Sequence, residues 1–194
     1  SLEIFNDQFR GGSPRSLAVD GKRSLDYLVD RIRREFPEVA IQAPDMPDRV
    51  EARGLAFVEF AADEREAAEL ASLFKTLGFG LAGKHVSKDV IHFRQGEINL
   101  VINTEREGFA HSAYIAHGTS VCAVGLNVED ARAVISRAEA LGAEPFNQPV
   151  GPGELTIPAI RGVGGGVIYF LDEKSGLATV WENEFGPTGD PSPP

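Results

Sequence analysis

The sequence predicts an α+β fold built from two successive modules, each made of one strand, one helix and three further strands. A weak internal repeat supports this prediction. A helix start at Asp63 and a glycine stop at Gly78 recur as Asp130 and Gly142, at offsets of 67 and 64 residues. The composition, 42% hydrophobic and 25% charged, is typical of a soluble globular protein with a sizeable core.

The first module begins with an apolar strand at 55–61. Asp63, with Glu66 three residues later, forms a capping-box pattern in which each side chain accepts a hydrogen bond from a free backbone N–H at the helix start. Apolar residues then recur at helical spacing up to the glycine stop. Further strands are predicted at 89–95 and 98–103.

The second module repeats this series. Its first strand is 121–128, its helix starts at Asp130, and later strands are predicted at 167–172 and 177–185. The glycine-rich run 162–166 leads into a strand, whereas a phosphate-binding loop leads into a helix, so a tight turn is predicted there. We expect each module to curl into half of a cup with a concave ligand-binding face.

The first 36 residues predict a separate strand and helix. The strand is 2–5, and Ser13 is a suitable helix N-cap. The segment 37–53, interrupted by three prolines, is predicted to be an interdomain linker, and 187–194 a flexible tail. Because Ser1 leads directly into an apolar strand, we expect the chain to be part of a longer protein. One helical face is apolar and consists of Leu17, Gly21, Leu25, Leu28, Ile32 and Phe36.

The charge excludes some partners. A net charge of −10 and a pI near 4.9 disfavour nucleic acids and anionic membranes, which require clustered Lys and Arg. No apolar run is long enough to span a bilayer, and no signal peptide is recognisable. The single cysteine, Cys122, has no disulfide partner within the chain. A cytoplasmic protein is therefore expected.

Three sequence blocks carry a resemblance to a known family. They are SKDVIHFRQGEINLVIN at 87–103, HGTSVCAVGLNVED at 117–130 and ELTIPAIRGVGGG at 154–166. Over 54–186 the chain resembles the N-terminal half of 4-hydroxyphenylpyruvate dioxygenase, which has the vicinal-oxygen-chelate fold of glyoxalases. The resemblance implies two βαβββ modules in one domain. It also implies that iron would be held by a second half, which does not lie within these residues.

The N-terminal segment carries a second resemblance. SLEIFND followed by an amphipathic helix is similar to the last strand and helix of the TIM barrels in the sugar phosphate isomerase and epimerase superfamily. A barrel ahead of a dioxygenase-like domain is the architecture of one class of bacterial 3-dehydroshikimate dehydratases. The resemblance implies that Glu3 is a ligand to a divalent metal in the complete barrel, with the other ligands on strands before Ser1.

The dioxygenase-like module is not expected to hold a metal by itself. The resemblance places the first-strand ligand positions of the vicinal-oxygen-chelate fold at Ala56 and Ala123, and alanine cannot bind a metal. Thr179 or Val180 is nearest to the usual acidic position on the last strand, and Glu182 is close by. No cofactor is therefore expected within this module.

Three residues are candidates for chemistry in the cup. His92 and Arg94 alternate along one strand, so both are expected on the same side, either as a binding site for an anion such as a carboxylate or as a hydrogen-bonded structural pair. Glu59 lies within an apolar strand and is either a general base, if buried, or an ordinary polar strand residue. Among the other titratable groups, His85 and His111 are expected at the surface, His117 at a helix end, and Cys122 in the core.

Three functions remain open. The first is a fragment of a dehydratase that converts 3-dehydroshikimate to protocatechuate, with a divalent metal and a small-molecule substrate bound in the complete protein and this module as a largely non-catalytic scaffold. The second is the N-terminal half of an aromatic 2-oxoacid dioxygenase, and the third is a stand-alone small-molecule binding module. The isolated chain is expected to be inactive and able to form a homo-oligomer through its N-terminal helix.

Overall fold

The computed structural model describes residues 21–37 and 47–186. These residues form two compact units, one ending at Arg49 and the other beginning at Val50. The predicted strand at 2–5, with Glu3, and the tail 187–194 lie outside the described residues, as does most of the predicted linker.

The first unit contains helix α1, Gly21–Glu35. Arg31 Nε lies 2.9 Å from Glu35 Oε1, one turn along the same helix. Leu28 and Phe36, two members of the apolar face, are exposed. The helix start predicted at Ser13 lies outside the described residues.

The first module of the second unit consists of β1 (Ala52–Ala61), α2 (Glu64–Thr76), β2 (Gly80–His85), β3 (Val90–Gln95) and β4 (Ile98–Asn103). Its strands lie in the order β1-β4-β3-β2. β1 and β4 run parallel, with Val58 opposite Leu100, and the remaining pairs are antiparallel. Because β1 begins at Ala52, the last two residues of the predicted linker belong to a strand.

The second module consists of β5 (Ser120–Val128), α4 (Ala131–Ala140), β6 (Pro145–Phe146), β7 (Ala159–Arg161) and β8 (Val167–Leu171). Its strand order, β5-β8-β7-β6, repeats that of the first module. Helix α3 (Gly108–His117) connects the modules, and β1 pairs antiparallel with β5 to make one continuous sheet. The predicted α+β fold of two βαβββ modules is confirmed.

The aspartate caps form as the repeat predicts, but the reciprocal half of the capping box does not, because Glu66 Oε2 accepts a hydrogen bond from Thr119 Oγ1 at 2.6 Å instead. Asp63 accepts a hydrogen bond from Glu66 N at 2.7 Å, and Asp130 accepts one from Ala133 N at 2.9 Å. The glycine that follows α2, Gly78, has φ 95°, a conformation that side-chain-bearing residues rarely adopt. Hydrogen bonds and backbone conformations of nearby residues therefore determine where α2 begins and ends and where α4 begins.

The strand predicted at 177–185 is wrong. The segment forms a 3₁₀ turn (Leu177–Thr179), helix α5 (Val180–Glu184) and a short strand β9 (Phe185–Gly186) that pairs with β2. The last strand position of the second module is already occupied by β8. The buried residues of the segment, Leu177, Val180 and Glu184, recur at helical spacing.

Two apolar layers cover the faces of the sheet. On the outer face, Phe93 and Ile102 pack beneath Phe74 of α2 and are almost completely buried. On the inner face, Phe57, Tyr169 and Val180 belong to a larger cluster that surrounds a cavity. The candidate site is built on this inner face.

Candidate functional site

A cavity of about 1010 Å³ lies on the concave side of the sheet. Strands β1, β4, β5 and β8 supply its floor, α5 closes one side, and the segment between β6 and β7 forms part of its rim. Such a volume is large enough for a small organic molecule. The residues that line it include Phe57, Glu59, Asn103, Cys122, Tyr169 and Trp181.

Glu59 is the buried acid on the floor of this cavity. It is 7% exposed, and its Oε1 accepts a hydrogen bond from Asn103 Nδ2 at 2.7 Å. Burial raises the pKa of Glu59, and the hydrogen bond from Asn103 opposes that shift only in part. Of the orientations that the sequence left open for Glu59, this is the one toward the cavity.

Two other groups on the floor are held in their neutral forms. Cys122 Sγ lies 3.6 Å from the carbonyl oxygen of Glu59, and Tyr169 Oη accepts a hydrogen bond from Gln148 Nε2 at 3.2 Å. Burial, and in second place the negative charge of Glu59, raises the pKa of both the Cys122 thiol and the Tyr169 phenol. Neither group is therefore activated as a nucleophile.

Aromatic rings form the walls. Phe57 lies between Tyr169 and Trp181, with ring centroids 5.8 Å and 5.9 Å away. Phe109 packs edge to face against Phe146 at 5.3 Å. This arrangement surrounds the polar floor with flat apolar surfaces that suit a planar ligand.

At the rim of the cavity, a network of hydrogen bonds and ion pairs joins the β2–β3 and β6–β7 connections to α5. His85 Nε2 lies 3.1 Å from Glu184 Oε2, and Leu155 N donates to Glu184 Oε1 at 2.6 Å. Lys88 Nζ lies 2.7 Å from Glu154 Oε2. Burial would raise the pKa of Glu154, but hydrogen bonds, the strongest from Lys88, lower it to about 2. The surface position expected for His85 is wrong, because Glu184 gives this imidazole a buried partner.

His92 and Arg94, the other two candidate cup residues, are not among the residues that line the cavity. His92 stacks on Trp181 at 4.2 Å, and its Nε2 lies 2.9 Å from Asn99 Oδ1. Burial lowers the pKa of His92 to about 4. Arg94 is exposed, and its Nε donates to the carbonyl oxygen of Gly96. His92 is separated from the cavity because Trp181 of α5 covers it, in the segment where the sequence predicted a strand.

The described side chains do not fit a metal site. Ala56 and Ala123, the positions that the resemblance assigns to first-strand metal ligands, are buried on β1 and β5 and are not among the residues that line the cavity. Within residues 21–37 and 47–186, no three His, Cys, Asp or Glu side chains are grouped closely enough to hold a metal ion. The candidates for an acidic position on the last strand do not lie on a strand. Thr179 belongs to the 3₁₀ turn, and Val180 and Glu182 belong to α5. Glu3 lies outside the described residues.

Several residues of the site were not predicted from the sequence. Trp181 and Glu184 enter the site only because their segment is helical. Asn103 could have been found, since it alternates with Asn99 and Val101 on one face of β4, next to the strand that carries Glu59. None of the described helices has the length and apolar character that are needed to cross a bilayer.

Known proteins resemble this chain in sequence and in fold. A family model described as hydroxyphenylpyruvate dioxygenase, N-terminal, matches residues 47–186. A 3-dehydroshikimate dehydratase of Pseudomonas aeruginosa is 42% identical over 190 residues, which are 95% of this chain and 30% of that protein. A 4-hydroxyphenylpyruvate dioxygenase of Pseudomonas sp. is 36% identical over 132 residues, 68% of this chain and 36% of that protein.

A solved structure extends the comparison to the fold. It is a fusion of a xylose isomerase-like TIM barrel with 4-hydroxyphenylpyruvate dioxygenase, 37% identical, with a TM-score of 0.71. The alignment covers 95% of this chain and 30% of that one. The chain thus spans less than a third of the dehydratase and of the fusion protein. Its modules, cavity and sequence place it in the hydroxyphenylpyruvate dioxygenase N-terminal family, within the glyoxalase-like fold.

Proposed function

We propose that this chain is part of a metal-dependent 3-dehydroshikimate dehydratase, in which a TIM barrel performs the chemistry and the dioxygenase-like module is a largely non-catalytic scaffold. One observation carries the proposal: the similarity to dehydratases covers 95% of the chain, whereas the similarity to the dioxygenase covers 68%. The matched dehydratase region is therefore longer than the family's own 47–186.

The reaction of such a protein is the loss of one water molecule from 3-dehydroshikimate, which leaves the aromatic ring of protocatechuate. A proton must leave a carbon next to the ketone, and negative charge then develops on the ketone oxygen. A divalent ion near that oxygen would stabilise this charge. In this proposal Glu3 contributes one carboxylate to hold the ion, and the remaining ligands belong to the rest of the barrel.

The geometry of the described module supports a scaffold role. Its two equivalent first-strand positions are alanines, and the thiol and phenol on the cavity floor have raised pKa values. The carboxylates of Glu154 and Glu184 are engaged in holding the rim together. Ser87 Oγ lies 3.3 Å from His85 Nδ1, but this hydroxyl donates to Glu154 Oε1 and does not line the cavity. Among the described residues that line the cavity, no hydroxyl or thiol is hydrogen-bonded to a histidine or carboxylate side chain in the way covalent catalysis requires.

A role as the N-terminal half of a dioxygenase is the competing proposal. The two are separated by assaying the complete protein with 3-dehydroshikimate and with 4-hydroxyphenylpyruvate. We expect protocatechuate to form from the first substrate, with its absorbance as the readout, and no oxygen consumption with the second. Oxygen consumption with 4-hydroxyphenylpyruvate and no protocatechuate would overturn the dehydratase proposal.

A further inference from the structure

One polar atom of the cavity floor has no hydrogen-bond partner among the described residues. Glu59 Oε1 accepts the Asn103 hydrogen bond, but Oε2 makes no hydrogen bond to any described residue. Among these residues, every side-chain oxygen or nitrogen that is shielded from solvent has a hydrogen-bond partner. Oε2 must therefore be open to the cavity, although Glu59 as a whole is 93% buried.

The residues around Glu59 Oε2 favour a ligand with an aromatic ring. Phe57 is two residues from Glu59 on the same strand, and its ring packs against those of Tyr169 and Trp181. An aromatic ligand would therefore find flat apolar surface next to the free carboxyl oxygen. Aromatic rings in such offset and edge contacts gain more than the burial of their area alone provides.

The charges around the cavity disfavour an anion. Lys88 is neutralised by Glu154 at 2.7 Å. Arg161 also lines the cavity, but its guanidinium lies over the ring of Phe146, 4.5 Å from the ring centroid. Glu59 itself would repel a carboxylate brought to the floor whenever it is ionised.

A cation is disfavoured for a different reason. Burial raises the pKa of Glu59 because removal from water costs a charged group free energy, and an ammonium brought to this floor would meet the same cost. A hydroxyl group suits both forms of this acid, because it can accept a hydrogen bond from the protonated carboxyl and donate one to the ionised carboxylate.

We propose that the cavity binds an uncharged aromatic molecule that carries a hydroxyl group, with the ring against Phe57 and Tyr169 and the hydroxyl on Glu59 Oε2. This binding is a property of the module and does not depend on the activity of the complete protein. Its loss and a loss of dehydratase activity are therefore separate observations.

Trp181 is the only tryptophan of the chain and lines the cavity, so its fluorescence reports binding directly. The 194-residue chain is titrated with benzyl alcohol, benzoate and benzylammonium, which share one ring and differ in charge. We expect saturable binding of benzyl alcohol, in the range of about 1 mM for so small a ligand. Benzyl alcohol should bind more tightly than either ion. An ion that binds as tightly or more tightly, or an absence of saturable binding of benzyl alcohol, would overturn the proposal.

Two variants test the contact with Glu59. Glu59→Gln keeps a donor and an acceptor and should bind benzyl alcohol with little change, whereas Glu59→Leu should bind it about tenfold more weakly. Glu97→Leu is the matched control, because Glu97 is an exposed carboxylate outside the cavity. Binding by Glu59→Leu within about twofold of the unaltered chain would contradict the proposal. If Glu59→Leu does not fold, the ligand series on the unaltered chain still decides.

Discussion

The imidazole of His92 stacks on the indole of Trp181, with ring centroids 4.2 Å apart and planes inclined by 23°. This contact joins a strand of the first module to α5, the helix that follows the second. It also removes the imidazole from water. The same contact therefore explains both why His92 is absent from the cavity and why its pKa is low.

Acid should destabilise the protein through His92. The pKa of the group is about 4 in the folded chain and about 6.5 in an unfolded one. The unfolded state therefore gains a proton first as the pH falls, and stability should be lost between about pH 6.5 and pH 4, by up to about 3 kcal/mol. His92→Phe keeps the stacking but cannot titrate, and urea unfolding should show a weaker pH dependence for it across this window. An unchanged pH dependence would contradict the burial of His92.

Removal of the Glu184 side chain should loosen the rim of the cavity. Glu184→Ala leaves His85 and the backbone N–H of Leu155 without their acceptor. We expect a loss of about 2 to 4 kcal/mol in the free energy of unfolding and faster amide exchange around Leu155. Glu182→Ala, an exposed change on the same helix, is the control and should stay within about 0.5 kcal/mol of the parent. Equal effects of the two changes would show that the network does not hold the rim.

The isolated chain should not retain a stoichiometric metal ion. The resemblance assigns first-strand metal ligands to Ala56 and Ala123, and neither side chain has a donor atom. Elemental analysis after dialysis against a mild chelator measures this directly. One tightly held iron or other divalent ion per chain, lost on substitution of a cavity residue, would contradict the prediction.

The apolar face of α1 should promote self-association of the isolated chain. Leu28 and Phe36 are exposed, and an apolar stripe on a helix is stabilised by a second surface. Light scattering should give a larger mass for the chain than for a variant with Leu28→Glu and Phe36→Glu. Leu55→Glu, which changes an exposed residue of β1, is the control. Identical monomeric masses for all three proteins would contradict the prediction.

The parts of the fold that depend on neighbouring residues were predictable from the sequence. The caps at Asp63 and Asp130 use backbone groups three residues away, so their pattern is visible in the chain. Helix α5 was not predictable in this way, because a single turn containing Val180 and Trp181 has the composition of a strand. Its helical form depends on packing against His92 and Phe57.

The site was harder to predict from the sequence than the fold, because it depends on contacts between residues that are far apart in the chain. Glu59 could be placed in the cup from its position on an apolar strand. Its partner Asn103 lies 44 residues away, and His85 and Glu184 are 99 residues apart. These pairs require the register of β1 on β4 and of β9 on β2, which no local pattern determines.

The central claim, that the chemistry belongs to the barrel, is tested most directly by the turnover of 3-dehydroshikimate in the complete protein after Glu3→Gln and, separately, His92→Ala. Glu3→Gln keeps the size of the side chain but removes the charge that is proposed to hold a divalent ion. We expect turnover to fall by at least about a hundredfold for Glu3→Gln, because one such electrostatic contact is worth roughly 3 kcal/mol. His92→Ala and Glu59→Gln should change turnover far less. Nearly full activity of Glu3→Gln together with loss of activity in His92→Ala would contradict the account.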